Sequence, residues 1–316
     1  MRYDIQILGS WLIKEVIIVT ELFDNEIIEE TVVKLHKFAG TKLPNDVSKA
    51  LIEMYEKETK PTSKAALKTI VENFGIAEET HTVMCQDTGI HIYYVNIGEK
   101  FPKIEGIEET LRKASVRATE EVPLRPNAVN PIVGGNSGDN TGRHIPFINY
   151  DFIPGEEYLE ITVFPKGGGS ENMCALAMLK PGQGIKGIKK FVIDTIINAG
   201  GQPCPPVVVG VGIGGGADIA LKLAKKQLMR PLGHRHSDPE LAKLEEDLLK
   251  AINMTGIGSM GLGGNVSTAL DVKIEYAHRH PASLPAAVAI QCWAARKSTA
   301  RIYPDKRVEF LTHKEA

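Results

Sequence analysis

Three widely separated cysteines constrain this chain more than any other feature, because each lies beside a rigid or polar turn. Cys85 begins the run Cys-Gln-Asp-Thr-Gly, Cys204 stands among three prolines, and Cys292 precedes a tryptophan. No pair has the C-x-x-C spacing of a zinc ribbon or a thioredoxin-type site. If the fold brings these three thiolates together, they can hold three irons of a [4Fe–4S] cluster and leave the fourth iron open.

The residues after Cys85 add polar chemistry to the first turn. Gln86 offers a hydrogen-bond donor and an acceptor, and Asp87 offers a base or an anion. Gly89 permits a bend that other residues resist. Taken alone, the same run is more typical of a small buried thiol beside a surface turn, since free cysteine is among the most buried residue types. The rest of the chain must decide between these interpretations.

The amino-acid composition argues against several classes of protein. The 316 residues carry a formal net charge of -2, which argues against a nucleic-acid-binding protein, and their length is typical of about two domains or lobes. Four dispersed cysteines are too few for a disulfide scaffold and indicate a reducing cytoplasm. No stretch approaches the roughly 20 apolar residues of a membrane span. Residues 1–19 carry no motif and are interpreted as a leader before a domain at 20–316.

Hydrophobic periodicity predicts both helices and strands. Helices are predicted from Asn25 to Glu79, around Leu111, at 170–178 with Ser170 as N-cap, at 185–198 and from Leu241. Strands are predicted at 90–97, 158–164, 207–213 and up to Tyr303. These elements alternate irregularly. We therefore expect an α+β fold with mixed sheets flanked by helices in two lobes, an N-terminal helical bundle, and no doubly wound sheet.

The run Gly210–Gly215 matches G-x-G-x-x-G letter for letter, which raises the alternative of a nucleotide-binding oxidoreductase. That motif also requires a second strand ending in an acidic residue about 20 positions further on. The sequence has neither feature at that distance. Nucleotide binding is therefore kept only as a distant alternative.

Other polar positions admit more than one role. Arg125, fixed beside Pro126, is a plausible clamp for a carboxylate, although a surface loop arginine is as plausible. The glycines at 167–169 expose backbone amides to an anion. Two His-Arg-His runs, one ending at His280, suggest zinc ligands only weakly. A non-catalytic zinc or scaffold subunit stays open as a third class.

Several long motifs in order resemble one enzyme family. They are C-Q-D-T-G at Cys85, L-R-P-N-A-V at Leu124, K-G-G-G-S-E-N-M at Lys166, C-P-P-V-V-V-G-V-G-I-G-G at Cys204, H-P-A-S-L-P at His280 and Q-C-W-A-A-R at Gln291. Together they resemble the iron–sulfur-dependent fumarase and tartrate dehydratase family. More narrowly, the chain is similar to the α subunits of the two-subunit class I enzymes.

The resemblance implies a set of residue roles. It implies that Cys85, Cys204 and Cys292 ligate a [4Fe–4S] cluster whose open iron is a Lewis acid, while Cys174 is no ligand. It also implies substrate-binding and catalytic residues. The substrate-binding residues are Gln86, Arg125 and Gly168, and the catalytic residues are Asp87 and His280.

The resemblance further implies an activity and a partner. The expected reaction is the reversible conversion of (S)-malate to fumarate and water, a step of the tricarboxylic acid cycle, with L(+)-tartrate dehydration as the alternative. Single-chain members of the family carry a further C-terminal domain with catalytic residues, whereas this chain stops at Ala316. We therefore expect a β subunit to complete the site in a heterotetramer-type assembly.

Overall fold

The computed structural model describes residues 22–313, so the predicted leader at 1–19 lies outside the described part. The helices in this part are α1 (Asn25–Thr41), α2 (Asn45–Lys57), α3 (Pro61–Thr80), α4 (Ile107–Glu121), α5 (Gly168–Glu171), α6 (Gly184–Ala199), α7 (Ala217–Gln227) and α8 (Pro239–Asn253). The strands are β1 (Ile90–Gly98), β2 (Phe147–Ile153), β3 (Leu159–Lys166), β4 (Ala175–Leu179), β5 (Val207–Gly215), β6 (Ala269–Arg279), β7 (Leu284–Gln291), β8 (Ser298–Ile302) and β9 (Val308–Phe310).

The strands form two mixed sheets. The first has the order β2-β1-β3-β8-β9, with only β1 and β2 parallel. The second has the order β4-β7-β5-β6, with only β5 and β6 parallel. This arrangement confirms the predicted α+β class and differs from a doubly wound sheet, whose strands are mostly parallel.

Side-chain alternation gives each sheet two buried faces. In β1, Tyr93 and Val95 pack with α1 and α4, while Ile92 and Tyr94 face a central cluster. In β5, alternate valines pack against α6 and α8, while Val208 faces the same central cluster. Because α2, α3 and α7 also contribute to it, this cluster joins both sheets. The predicted division into two lobes stays a prediction.

The helix predicted at 170–178 is wrong. The chain forms a single helical turn, α5, with Gly167 rather than Ser170 as its N-cap. Ala175–Leu179 then becomes strand β4, which pairs antiparallel with residues 284–288 of β7. Ladder hydrogen bonds to a distant strand override the local helical preference of Ala, Leu and Met. Cys174 therefore precedes a strand and does not lie within a helix.

The glycine run in β5 has a packing role. A Cβ atom on Gly210 or Gly212 would overlap the carbonyl oxygens of Ala224 or Ala220 in α7. The glycines therefore let α7 lie directly against the strand, which explains the motif without a nucleotide. Among residues 22–313, no helix is both long and apolar enough to cross a bilayer.

Candidate active site

The turns that carry the three cysteines meet beside the central cluster. Cys204 precedes β5 and Cys292 follows β7, and since these strands are antiparallel neighbours, the two turns are adjacent. The amide of Trp293 donates a hydrogen bond of 3.1 Å to the carbonyl of Cys204. Cys85 reaches the same place from the turn before β1, and all three thiols are half-buried against the central cluster.

The three thiols influence one another electrostatically. Burial raises the pKa of the Cys204 thiol, and the charges of Cys292 and Cys85 raise it further. Burial also raises the pKa of Cys292, whereas the positive charges of Arg296 and Lys166 lower it. The overall shift of both pKa values is upward, so burial outweighs the two cations.

Three thiol side chains are donors of the kind that an iron–sulfur cluster takes. Within the described part of the chain, no three His, Cys, Asp or Glu side chains converge as ligands of one ion. In a cubane cluster each thiolate binds a different iron, so the ligands need not converge on one point. Cys204 also adopts a φ of 54°, a conformation that non-glycine residues rarely take and that clusters at functional sites.

Asp87 is fixed by three backbone contacts. Its Oδ1 accepts a hydrogen bond from the amide of Gly89 (3.1 Å), and its Oδ2 accepts one from the amide of Gly168 (2.7 Å). The backbone carbonyl of Asp87 accepts a hydrogen bond of 2.6 Å from Nη2 of Arg296. Gly89 has the φ of +84° that the predicted bend requires, and a Cβ there would meet the backbone of Pro165 at 2.7 Å. The carboxylate is therefore held at one orientation.

The Arg125 loop is tied to the same turn. Thr88 Oγ1 donates to the carbonyl of Arg125 (3.1 Å), and Asn127 Nδ2 donates to the carbonyl of Gly89 (3.1 Å). Arg125, Gln86 and Gly168 are all exposed. The structure therefore brings together Cys85, Cys204, Cys292 and Asp87, with these three residues on the solvent side.

His280 lies elsewhere in the chain. It is exposed in the loop between β6 and β7, where its Nδ1 accepts a hydrogen bond from the amide of Ala282. Cys292 follows the opposite end of β7, and the eight residues of that strand span roughly 24 Å. Within one chain, His280 and the cysteines are not brought together.

Two buried cations and an amide at this site were not predicted from the sequence. Lys166 and Arg296 are each 1% exposed, and the amide of Gln291 is buried with neither polar atom hydrogen-bonded to a described residue. Lys166 Nζ donates to Ser170 Oγ (2.7 Å) and pairs with Glu171, and burial lowers its pKa. A signal existed, because all three lie inside the motifs K-G-G-G and Q-C-W-A-A-R.

The fourth cysteine is held differently. Cys174 Sγ donates to the carbonyl of Ser170 and accepts from the amide of Ile290 at 3.4 Å, and burial raises its pKa. Its sulfur is therefore engaged with the backbone, in agreement with the packing role predicted for it.

Comparisons with known proteins agree on one family. A family model described as fumarate hydratase (Fumerase) matches residues 29–301. A protein named putative L(+)-tartrate dehydratase subunit alpha, from Methanocaldococcus jannaschii, is 54% identical over 284 residues, which are 89% of this chain and 99% of that protein. The L(+)-tartrate dehydratase subunit alpha of Escherichia coli K12 is 36% identical over 286 residues, which are 90% of this chain and 94% of that protein.

Proposed function

The chain belongs to the fumarate hydratase family, and from that premise we propose that it is the α subunit of a [4Fe–4S]-dependent fumarate hydratase. The proposed reaction is the reversible conversion of (S)-malate to fumarate and water. One observation carries this proposal: the turns of Cys85, Cys204 and Cys292 meet beside a fixed carboxylate, that of Asp87.

The chain's own residues suit this dehydration. When bound, the cluster supplies an open iron that polarises the leaving hydroxyl as a Lewis acid. Asp87 keeps a free lone pair on each carboxylate oxygen after its two amide contacts, so it can accept the proton removed from carbon. The exposed guanidinium of Arg125 can hold a substrate carboxylate in a bidentate pair. Gln86 can orient a substrate oxygen, and Gly168 lets the substrate approach the backbone.

A β subunit completes the site in this proposal. Both relatives carry the words "subunit alpha" in their names, which supports a partner for this chain too. The open side, where Gln86, Arg125 and Gly168 are exposed, is where further substrate-binding groups are needed. We propose a heterotetramer-type assembly working in the cytoplasm.

L(+)-tartrate dehydration is the second candidate, and the names of the relatives favour it. The family model and the S-E-N-M run at Ser170 favour fumarate. Steady-state assays of the reconstituted two-subunit enzyme on malate, fumarate and L(+)-tartrate decide between them. We expect the higher kcat/KM for malate, and a higher value for tartrate would replace the proposed substrate.

Cysteine substitutions test the cluster. We expect Cys85→Ser, Cys204→Ser and Cys292→Ser each to lose stable cluster binding, because each removes one of three thiolate ligands. Cys174→Ser is the matched control, since its sulfur contacts the protein backbone. Iron and sulfide per chain after anaerobic reconstitution are the measurements. Full loading of any of the first three variants, or loss in Cys174→Ser, contradicts the assignment.

A further inference from the structure

Arg296 is a buried cation whose donors are only partly used. It lies between β7 and β8 and is 1% exposed. Its Nη2 donates to the carbonyl of Asp87 at 2.6 Å, but Nε and Nη1 meet no acceptor among residues 22–313. No described carboxylate lies within ion-pair distance of the guanidinium; that of Asp87 instead accepts amides from Gly89 and Gly168. A buried guanidinium with unmade hydrogen bonds destabilises a chain on its own.

The surroundings of Arg296 place its guanidinium near the thiol site. Its charge acts on the sulfur of Cys292, four residues earlier in the chain. Its Nη2 lies 3.7 Å from the position that a Cβ on Gly167 would take. The guanidinium is therefore close to the Cys292 turn and to the Asp87 turn at once.

The neighbouring buried cations differ from Arg296 because their charges are satisfied. Lys297 is 5% exposed, and its Nζ donates to the carbonyls of Met229 (2.9 Å) and Arg230 (3.1 Å). Lys166 donates to Ser170 and pairs with Glu171. Unmade hydrogen bonds are thus a property of Arg296 and not of buried cations in this region.

We propose that Arg296 is a positioning residue whose Nε and Nη1 donate hydrogen bonds to the anionic sulfur atoms of the bound cluster, while its Nη2 fixes the Asp87 turn. This inference rests on the proposed function. Sulfur atoms that carry negative charge are the acceptors the two donors lack. Hydrogen bonds to cluster sulfurs also raise the reduction potential of a cluster.

The test compares Arg296→Met and Arg296→Lys with Lys297→Met, in the full chain. For Arg296→Met without iron, we expect a Tm close to that of the wild type, because the lost hydrogen bond to the Asp87 carbonyl is offset by the removal of a buried charge with unmade hydrogen bonds. After anaerobic reconstitution, we expect its iron loss to a chelator to be about ten- to a hundredfold faster, and its reduction potential, followed by EPR, to be more negative. Arg296→Lys should fall between the two.

Lys297→Met separates this role from general destabilisation. It should lower the Tm of the iron-free chain, because it leaves the half-buried carbonyls of Met229 and Arg230 without this donor, but keep the wild-type potential. Wild-type iron retention and potential in Arg296→Met overturn the inference. So does a fall in Tm that matches Lys297→Met and accounts for the iron loss. A wild-type chain that takes up no cluster contradicts the proposed function instead, and this inference falls with it.

Discussion

Cys204 holds its sulfur in place with a backbone conformation that costs free energy. Its φ of 54° lies in the left-handed region, which disfavours a residue with a Cβ atom by roughly 1–2 kcal/mol. We expect Cys204→Gly to be more stable than Cys204→Ala by about 1 kcal/mol in the iron-free chain, because only glycine relieves this strain. Urea unfolding measures the difference.

A second position is the control for the comparison of Cys204→Gly with Cys204→Ala. At Val209, in the middle of β5, the same Gly and Ala pair should reverse its order, because glycine in a strand interior loses more conformational entropy. Equal stabilities of Cys204→Gly and Cys204→Ala are incompatible with a strained cysteine.

Arg125 tests the substrate side of the site. Its carbonyl is anchored by Thr88 and Asn140, while its guanidinium is exposed. Arg125→Lys keeps the charge but loses bidentate geometry, so we expect kcat/KM for malate to fall about ten- to a hundredfold, with cluster content unchanged. Arg125→Ala should cost more.

The control for Arg125 is Arg143, an exposed arginine of the same long loop. Arg143→Lys should keep the wild-type kcat/KM. If Arg125→Lys also keeps it while the cluster is intact, Arg125 has no role in the site.

Single residues could be predicted from the sequence where their role depends on neighbouring residues, and could not where it depends on a distant contact. Gly89 was predictable because its bend is a local property, and Asp87 because it follows a ligand-type cysteine in the sequence. Arg296 was not, since its unmade hydrogen bonds exist only once the chain buries it beside the Asp87 turn, 209 residues away. Burial of a cation is decided by tertiary packing, so the motif Q-C-W-A-A-R includes Arg296 without showing that it is buried.

At the scale of elements, long-range pairing again set the limit. The three N-terminal helices and β1 follow from their periodicity, and both are observed. Strand β4 was predicted as helix because its residues favour helices locally, while its ladder to β7 spans more than 100 residues. The edge strands β2 and β9 were not predicted, since half-exposed edges lack the continuous apolar run of a buried strand.

Strand β1 carries a buried histidine that should make stability depend on pH. The Nδ1 atom of His91 shares a hydrogen bond of 3.0 Å with Oγ of Ser115, and burial lowers the pKa of His91 to about 3. Neighbouring His36 in α1 also has a pKa well below its usual value, because of burial and the charge of His91. Since both protonate more readily when unfolded, their stabilisation is complete above pH 6.5, and the contribution of His91 is lost as the pH falls toward 3.

This link between protonation and stability predicts how much the free energy of unfolding changes with pH. Protonation of His91 in the unfolded chain should remove about 2 kcal/mol from the free energy of unfolding between pH 7 and pH 5. We therefore expect His91→Phe to lose about 2 kcal/mol less than the wild type over that interval. His278→Phe, at an exposed position of β6, should keep the wild-type pH dependence. An unchanged dependence in His91→Phe would mean that His91 is already protonated in the folded chain.

At the scale of the whole molecule, the shared central cluster decides where the site forms. Cys85 belongs to the first sheet, whereas Cys204 and Cys292 belong to the second, and all three pack against the cluster that joins them. The site therefore exists only when both sheets are docked. The sequence predicted the cysteines as a set through their motifs, but not this arrangement, because sheet order is fixed by non-local pairing.

The proposed β subunit gives a prediction for the assembled enzyme. We expect the isolated, cluster-loaded chain to be nearly inactive on malate, because the groups that close the exposed side of the site belong to the partner. Activity should appear when the partner is added, and its dependence on partner concentration measures the affinity. Robust turnover by the isolated chain contradicts the need for a partner.

A catalytic role for His280 requires a second copy of the chain in the assembly. Since β7 keeps it roughly 24 Å from Cys292 in its own chain, a catalytic role requires that it reach the site of a second copy. We expect His280→Asn to keep wild-type cluster content but to lose activity. The Cys85→Ser variant is expected to be inactive because it loses the cluster. Mixing it with His280→Asn should restore part of the activity, because a mixed assembly contains a site with an intact cluster and an intact histidine.

The mixing experiment is controlled by Cys85→Ser combined with Cys292→Ser. Both substitutions remove ligands of the same site, so no mixed assembly of these variants can contain an intact one. Full activity of His280→Asn alone would exclude His280 from the reaction. A loss that mixing with Cys85→Ser never restores would place its role within one chain, which the length of β7 argues against.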